Sequence, residues 1–125
     1  MKYHITPSQL EILQVMWRAN TPLSRSDILD MSEGKTWKEN SIHILLNSML
    51  ENELIACDGY ARSGKVFGRL YAPKLSMMDY YTEVFKGAPI NPVEMLEVLL
   101  ADENISIEKL DKMLELLRKK RKSVE

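Results

Sequence analysis

The chain has 125 residues, 45% of them apolar, which suits one domain, or a small domain with an oligomerisation segment, and excludes wholesale disorder. Its 17 Lys and Arg against 18 Asp and Glu give a formal charge of −1, so whole-chain charge points to no polyanionic partner. A single cysteine, Cys57, excludes an intramolecular disulfide, and no apolar run approaches the ~18 residues of a membrane span.

Met1-Lys2-Tyr3-His4-Ile5 lacks the apolar stretch of a signal peptide. With the lone thiol, this makes a cytoplasmic location the expectation. Thr6-Pro7-Ser8-Gln9 opens a first helix: Thr6 as N-cap, Pro7 at the first helical position, Gln9 closing a capping box. Leu10, Leu13 and Trp17 recur at helical spacing, flanked by Ile12 and Met16, until Asn20-Thr21-Pro22. A second helix starts at Ser24, with Asp27 three residues on, and ends at Glu33-Gly34-Lys35. A third helix is predicted from about Glu39 to Asn52, with Ile42, Leu45, Leu46, Met49 and Leu50 on one face. Asn40, His43, Ile44 and Asn47 fall on the other face, pointing away from the core.

The period then changes. Leu54-Ile55-Ala56-Cys57 reads as a strand, Asp58 to Lys65 as a polar turn, and Val66 to Tyr71 as a returning strand closed by Pro73. On this reading Cys57 is a small core residue. Trp17 and Trp37 suit core packing better than base stacking. Three short helices followed by a hairpin are the plan of a winged helix-turn-helix. The expected fold class is therefore mainly α with a small β-hairpin: a winged helix-turn-helix domain over 1–75 and a helical dimerisation region over 76–125.

Ser76 caps a helix through about Phe85, and Lys86-Gly87-Ala88-Pro89 breaks it. Asn91-Pro92 starts another helix and Ser106 the last, which fades into a basic run, Arg118 to Lys122. That run could touch DNA or simply complement the helix dipole. Val93, Leu96, Leu99 and Leu100, then Leu110, Met113, Leu114 and Leu117, make apolar surfaces that so short a segment cannot easily cover alone. Pairing with a second copy would cover them, and folding back onto the N-terminal core is the alternative. Met77, Met78, Met95 and Met113 suit an adaptable interface.

No nucleophile–base pair, convergent His/Cys/Asp set or phosphate-cradling Gly loop is found, which argues against an enzyme. His4 and His43 lack ligand spacing, and neither a cofactor nor a metal is expected.

Thr36-Trp37 before the third helix, Ile42, Leu45-Leu46, Leu54, Gly68-Arg69 or Lys65-Val66-Phe67, Tyr71-Ala72-Pro73, and Tyr80 or Tyr81 follow a recognisable order. The sequence resembles the BlaI/MecI/CopY family of penicillinase and copper-response repressors from Thr6 to Lys122. The resemblance implies a winged-helix homodimer, joined through its C-terminal helices, that binds operator DNA and represses transcription.

On the predicted third helix, Asn40, Ser41, His43, Ile44 and Asn47 are then the candidate base contacts. Asn can pair with adenine, and an exposed Ile can touch a thymine methyl. An ordinary solvated face is the bland alternative. Lys35, Lys38, Arg62, Lys65 and Arg69 are candidate contacts to the DNA backbone, or else a solubilising surface. Through Leu75 cations exceed anions by only one, so any positive field is local.

The chain departs from the family pattern in carrying Lys38-Glu39 at the start of the third helix, Ser48 in its middle and Asn52-Glu53 where a Lys-Gly-like pair is common. The Asn-Phe bond cleaved in some members would align near Val98-Leu99 and is not matched. The paired C-x-C motifs of copper-responsive members are missing. A double-stranded operator and a second copy of the chain are the expected partners. The alternative is a winged-helix protein-interaction module with little DNA affinity of its own.

Overall fold

The computed structural model describes residues 3–63 and 66–125, which form two compact units, Met1–Ala88 and Pro89–Glu125.

Side-chain caps set the helix boundaries in the first unit. Helix α1 spans Pro7–Ala19. The Thr6 hydroxyl accepts the Gln9 N–H at 3.2 Å, and the Gln9 side-chain oxygen accepts the Thr6 N–H at 3.0 Å. The helix ends at Asn20, in the left-handed region at φ 53°. Strand β1 (Leu23–Ser24) leads into α2 (Arg25–Met31), where Ser24 and Asp27 repeat the capping box. A 3-10 turn, Glu39–Ser41, precedes α3 (Ile42–Glu51). The α-helix therefore begins three residues later than the sequence predicts. No side chain caps Lys38 or Ser41, and the first turn tightens instead.

Ile12, Leu13 and Met16 of α1, Ile28 of α2, and Ile42, Leu46 and Met49 of α3 meet in one core with Trp37, Leu54 and Ile55. Among the described residues Gln9 is the one large polar residue buried there. Its amide nitrogen donates to the Ser48 hydroxyl at 3.0 Å, and that hydroxyl donates to the Leu45 carbonyl at 2.8 Å. Ser48 thus ties α3 to the start of α1, a role for which a longer basic residue would be the wrong shape.

The loop before α3 is also anchored from α1. The Glu11 carboxylate accepts the Thr36 backbone N–H at 3.1 Å and its hydroxyl at 2.6 Å. Trp37 is buried beside it. Among the described residues its indole N–H has no hydrogen-bond partner, so burial and not a hydrogen bond holds Trp37.

Past α3 the chain reverses through Asn52 and Glu53. The Glu53 N–H reaches the Leu50 carbonyl at 3.1 Å and the Leu54 N–H reaches the Met49 carbonyl at 2.9 Å. This double closure needs a left-handed residue, and Glu53 supplies it at φ 58°.

Strands β2 (Ile55–Ser63) and β3 (Val66–Pro73) form the hairpin, and β1 adds to β3, giving the antiparallel order β1-β3-β2. The sequence reading misses β1, which is only two residues long. It also takes Asp58-Gly59 for part of the turn. Instead they make a β-bulge: Cys57 lies opposite Tyr71, but Tyr60 lies opposite Arg69, and Gly59 adopts φ 92°. The hairpin therefore runs several residues further than expected. Cys57, expected in the core, is exposed, because β2 leaves the core after Ile55.

Helix α4 (Met77–Lys86), capped by Ser76, packs with the first unit. The Trp17 indole N–H donates to the Leu75 carbonyl at 2.9 Å, and its ring lies 5.9 Å from Tyr80 and 6.1 Å from Tyr81. Trp17 and Trp37 are both packing residues. The second unit consists of α5 (Pro92–Leu100), capped by Asn91, and α6 (Ile107–Val124), capped by Ser106. Among the described residues no helix is long and apolar enough to cross a membrane.

Two stability predictions follow from these anchors. Glu53→Gly removes the penalty of a side chain in the left-handed region and raises stability by about 1 kcal/mol. Glu11→Ala lowers it by about 1 kcal/mol through loss of the Thr36 bonds. Urea midpoints at constant slope measure both, and an unchanged midpoint in either variant contradicts the corresponding account.

Candidate nucleic-acid interface

Helix α3 is amphipathic in a strict sense. Burial of Ile42, Leu46 and Met49 turns His43, Ile44 and Asn47 outward, and Asn40 is exposed on the preceding 3-10 turn. Ser41, at the junction, is only half-exposed. Ile44 is 73% exposed, among the highest values for a large apolar side chain in the first unit. Burial gives no reason for an isoleucine there. The face carries amide, imidazole and methyl groups in succession, which are the groups that address base edges in a major groove.

A residue not anticipated from the sequence joins this face. Arg25, exposed at the first position of α2, places its guanidinium against the His43 ring, with Nη1 3.3 Å from Nδ1 and also in contact with Nε2. The two helices of the helix-turn-helix are thus linked at the surface by a cation beside the candidate base contacts. The N-cap at Ser24 places Arg25 at the start of α2, but only the packing of the two helices brings it to His43.

The candidate backbone contacts separate into groups. Lys35 is partly covered. Its ammonium sits 3.4 Å from the Glu39 carboxylate and 5.9 Å from the centre of the Trp37 ring, so part of its charge is already answered. An exposed pair of this kind adds little stability, and its main effect is to turn Glu39 toward Lys35. Lys38 is exposed between them in sequence. Arg62 and Arg69 are exposed on the hairpin, on β2 and β3 respectively. The Arg62 guanidinium lies 5.4 Å from the Phe67 ring centre, and Arg69 is opposite Tyr60 in the ladder. Lys65 lies outside the described residues.

The second unit has a different character. None of its residues is buried. Val93, Leu99, Leu100, Leu114 and Leu117 are exposed, and Leu96, Leu110 and Met113 are partly covered. Val98, Ile107 and Leu116 are exposed as well.

Among the described residues no three His, Cys, Asp or Glu side chains gather as metal ligands. Comparison with known proteins adds the following. A family model described as "Penicillinase repressor" matches residues 5–119. No curated protein matches. Among solved structures, the chain is similar to MepR, a transcription regulator of the Staphylococcus aureus multidrug efflux pump MepA, with 18% identity, a TM-score of 0.47, and coverage of 97% of this chain and 81% of that one. It is also similar to Bacillus subtilis PadR in complex with operator DNA, with 16% identity, a TM-score of 0.47, and coverage of 92% and 69%. The match to the family model spans both units, from the capping box of α1 to the basic end of α6, and the chain belongs to the penicillinase repressor family of winged-helix transcriptional regulators, which are not enzymes.

Proposed function

We propose that the chain acts as a homodimeric repressor that binds a pseudo-palindromic operator and works in the cytoplasm, where that DNA lies. The observation that carries this reading is the face of α3. Three of its side chains are committed to the core, and the opposite side offers Asn40, His43, Ile44 and Asn47 to solvent. In the major groove Asn47 and Asn40 would address adenine edges, and Ile44 a thymine methyl. Ser41 and His43 complete the set of base contacts. Lys35, Lys38, Arg62, Lys65 and Arg69 would take phosphates.

Two copies would join residues 76–125 through Val93, Leu96, Leu99, Leu100, Leu110, Met113, Leu114 and Leu117. The support is that this surface is left uncovered within one chain. A two-fold dimer would then set two α3 helices about one duplex turn apart.

Selection of duplexes from a random pool, followed by footprinting, tests the reading. Asn47→Ala is expected to weaken the selected site about tenfold and to relax preference at one base position. Lys38→Ala should weaken all duplexes alike and reduce the salt slope by about one. Sedimentation at micromolar concentration should give a dimer, and Leu99→Asp a monomer. A monomeric wild type without duplex preference would favour the interaction-module reading instead.

A further inference from the structure

A cavity of about 460 Å³ opens to solvent within the first unit, between the end of α1, the turn after it, the end of β3 and the start of α4. That volume lies in the range of small-molecule sites. Met16, buried in the core, and Trp17, partly covered, line it from α1. Pro22, Pro73 and Met77 add further apolar wall. The Trp17 indole N–H already donates to the Leu75 carbonyl at 2.9 Å, so what Trp17 has left for a ligand is its ring. Rigid prolines and an indole suit a flat apolar body, and the two methionines adapt to its outline.

The polar groups narrow the class. Among the described residues lining the cavity, Lys74 is the only charged one, and no carboxylate is among them. The Lys74 ammonium lies 3.7 Å from the Glu53 carboxylate, with both side chains well exposed. An exposed pair of this kind is held weakly, so the ammonium can turn to another anion. Asn20 and Thr21, both exposed, add an amide and a hydroxyl at the rim. Apolar walls alone would accept any hydrocarbon. A single cation without an opposing carboxylate selects an acid over an amine. We propose that this cavity is a binding site for a small aromatic carboxylate, with the ring between Trp17, Pro22 and Pro73 and the carboxylate at Lys74. None of the candidate duplex contacts on α3 or the hairpin lines the cavity, so this inference stands apart from the repressor reading.

The test uses the full chain labelled with ¹³C at its eight methionine methyls, and 2-naphthoate as the probe. Met16 and Met77 line the cavity, whereas Met31, Met95 and Met113 do not and serve as controls. The expected result is saturable shifts at Met16 and Met77, with a dissociation constant on the order of 0.1–1 mM. The neutral isostere 2-naphthamide should bind about fivefold more weakly. Lys74→Gln should weaken naphthoate by about the same factor while leaving the amide unchanged, which shows that the cavity is intact, and Lys74→Arg should restore the difference. Glu53→Gln, which removes the competing carboxylate, should tighten naphthoate and not the amide.

The absence of saturable shifts at Met16 and Met77 up to the solubility of the probe overturns the site. Shifts confined to Met95 and Met113 overturn it as well, because the probe would then be coating the exposed apolar surface of the second unit. Amide and acid binding equally, or Lys74→Gln without effect on naphthoate, overturns the assignment of a carboxylate ligand.

Discussion

Everything at the candidate interface depends on how α3 is seated. Ile42, Leu46 and Met49 recur at helical spacing and are almost wholly buried, so the helix has no freedom to roll. A rotation of one residue, about 100°, would bring a polar side chain into the core and expose an aliphatic one. The cost of either error is several kcal/mol. Orientation of the outer face is therefore a by-product of core packing, and no surface contact has to enforce it.

Fixing the roll leaves the slide along the axis and the approach of the preceding loop. Two polar links from α1 address these. Gln9, whose side chain also closes the capping box, reaches Ser48 and so couples the start of α1 to the middle of α3. Glu11, two residues on, holds Thr36 by both its N–H and its hydroxyl. Both links leave from the first turns of α1, a well-capped helix with four buried apolar residues, Ile12, Leu13, Val15 and Met16. A rigid element thus carries the positioning, while the segment it positions, the 3-10 turn Glu39–Ser41, has no side-chain cap of its own. The same arrangement gives Ser48 an internal role, as the tie between α3 and α1.

Features governed by neighbours in sequence were legible in the sequence. Five N-caps, at Thr6, Ser24, Ser76, Asn91 and Ser106, follow from a polar residue preceding an apolar period, and each makes the expected bond. The outward set on α3 follows from the same period. Features that depend on distant partners were not legible. Strand β1 is two residues that extend only because β3 lies beside them. The pair Asp58-Gly59 has turn composition whether it ends a strand or bulges within one, and the partner's register decides. Misreading that bulge placed Cys57 in the core and shortened the hairpin, which in turn hid the pairing of Tyr60 with Arg69 and of Arg62 with Phe67. The contact between Arg25 and His43 joins two helices and could be reached only through their packing.

The charge balance bears on how such a protein could bind DNA at all. With a formal charge of −1, no long-range field draws it to a polyanion, so attraction has to come from cations placed locally. One of these, Lys35, is partly neutralised by Glu39. A single winged-helix unit of this composition would hold a duplex weakly. In the proposed dimer the second half-site is bound at the effective concentration set by the linkage, which can raise avidity by factors of about 10² to 10⁴ without any new contact. Occupancy would then depend steeply on whether the two copies stay joined, and repression could be lost by separating them with every base contact intact. The uncovered apolar surface of the second unit would in that case be the control point of the molecule as well as its clamp.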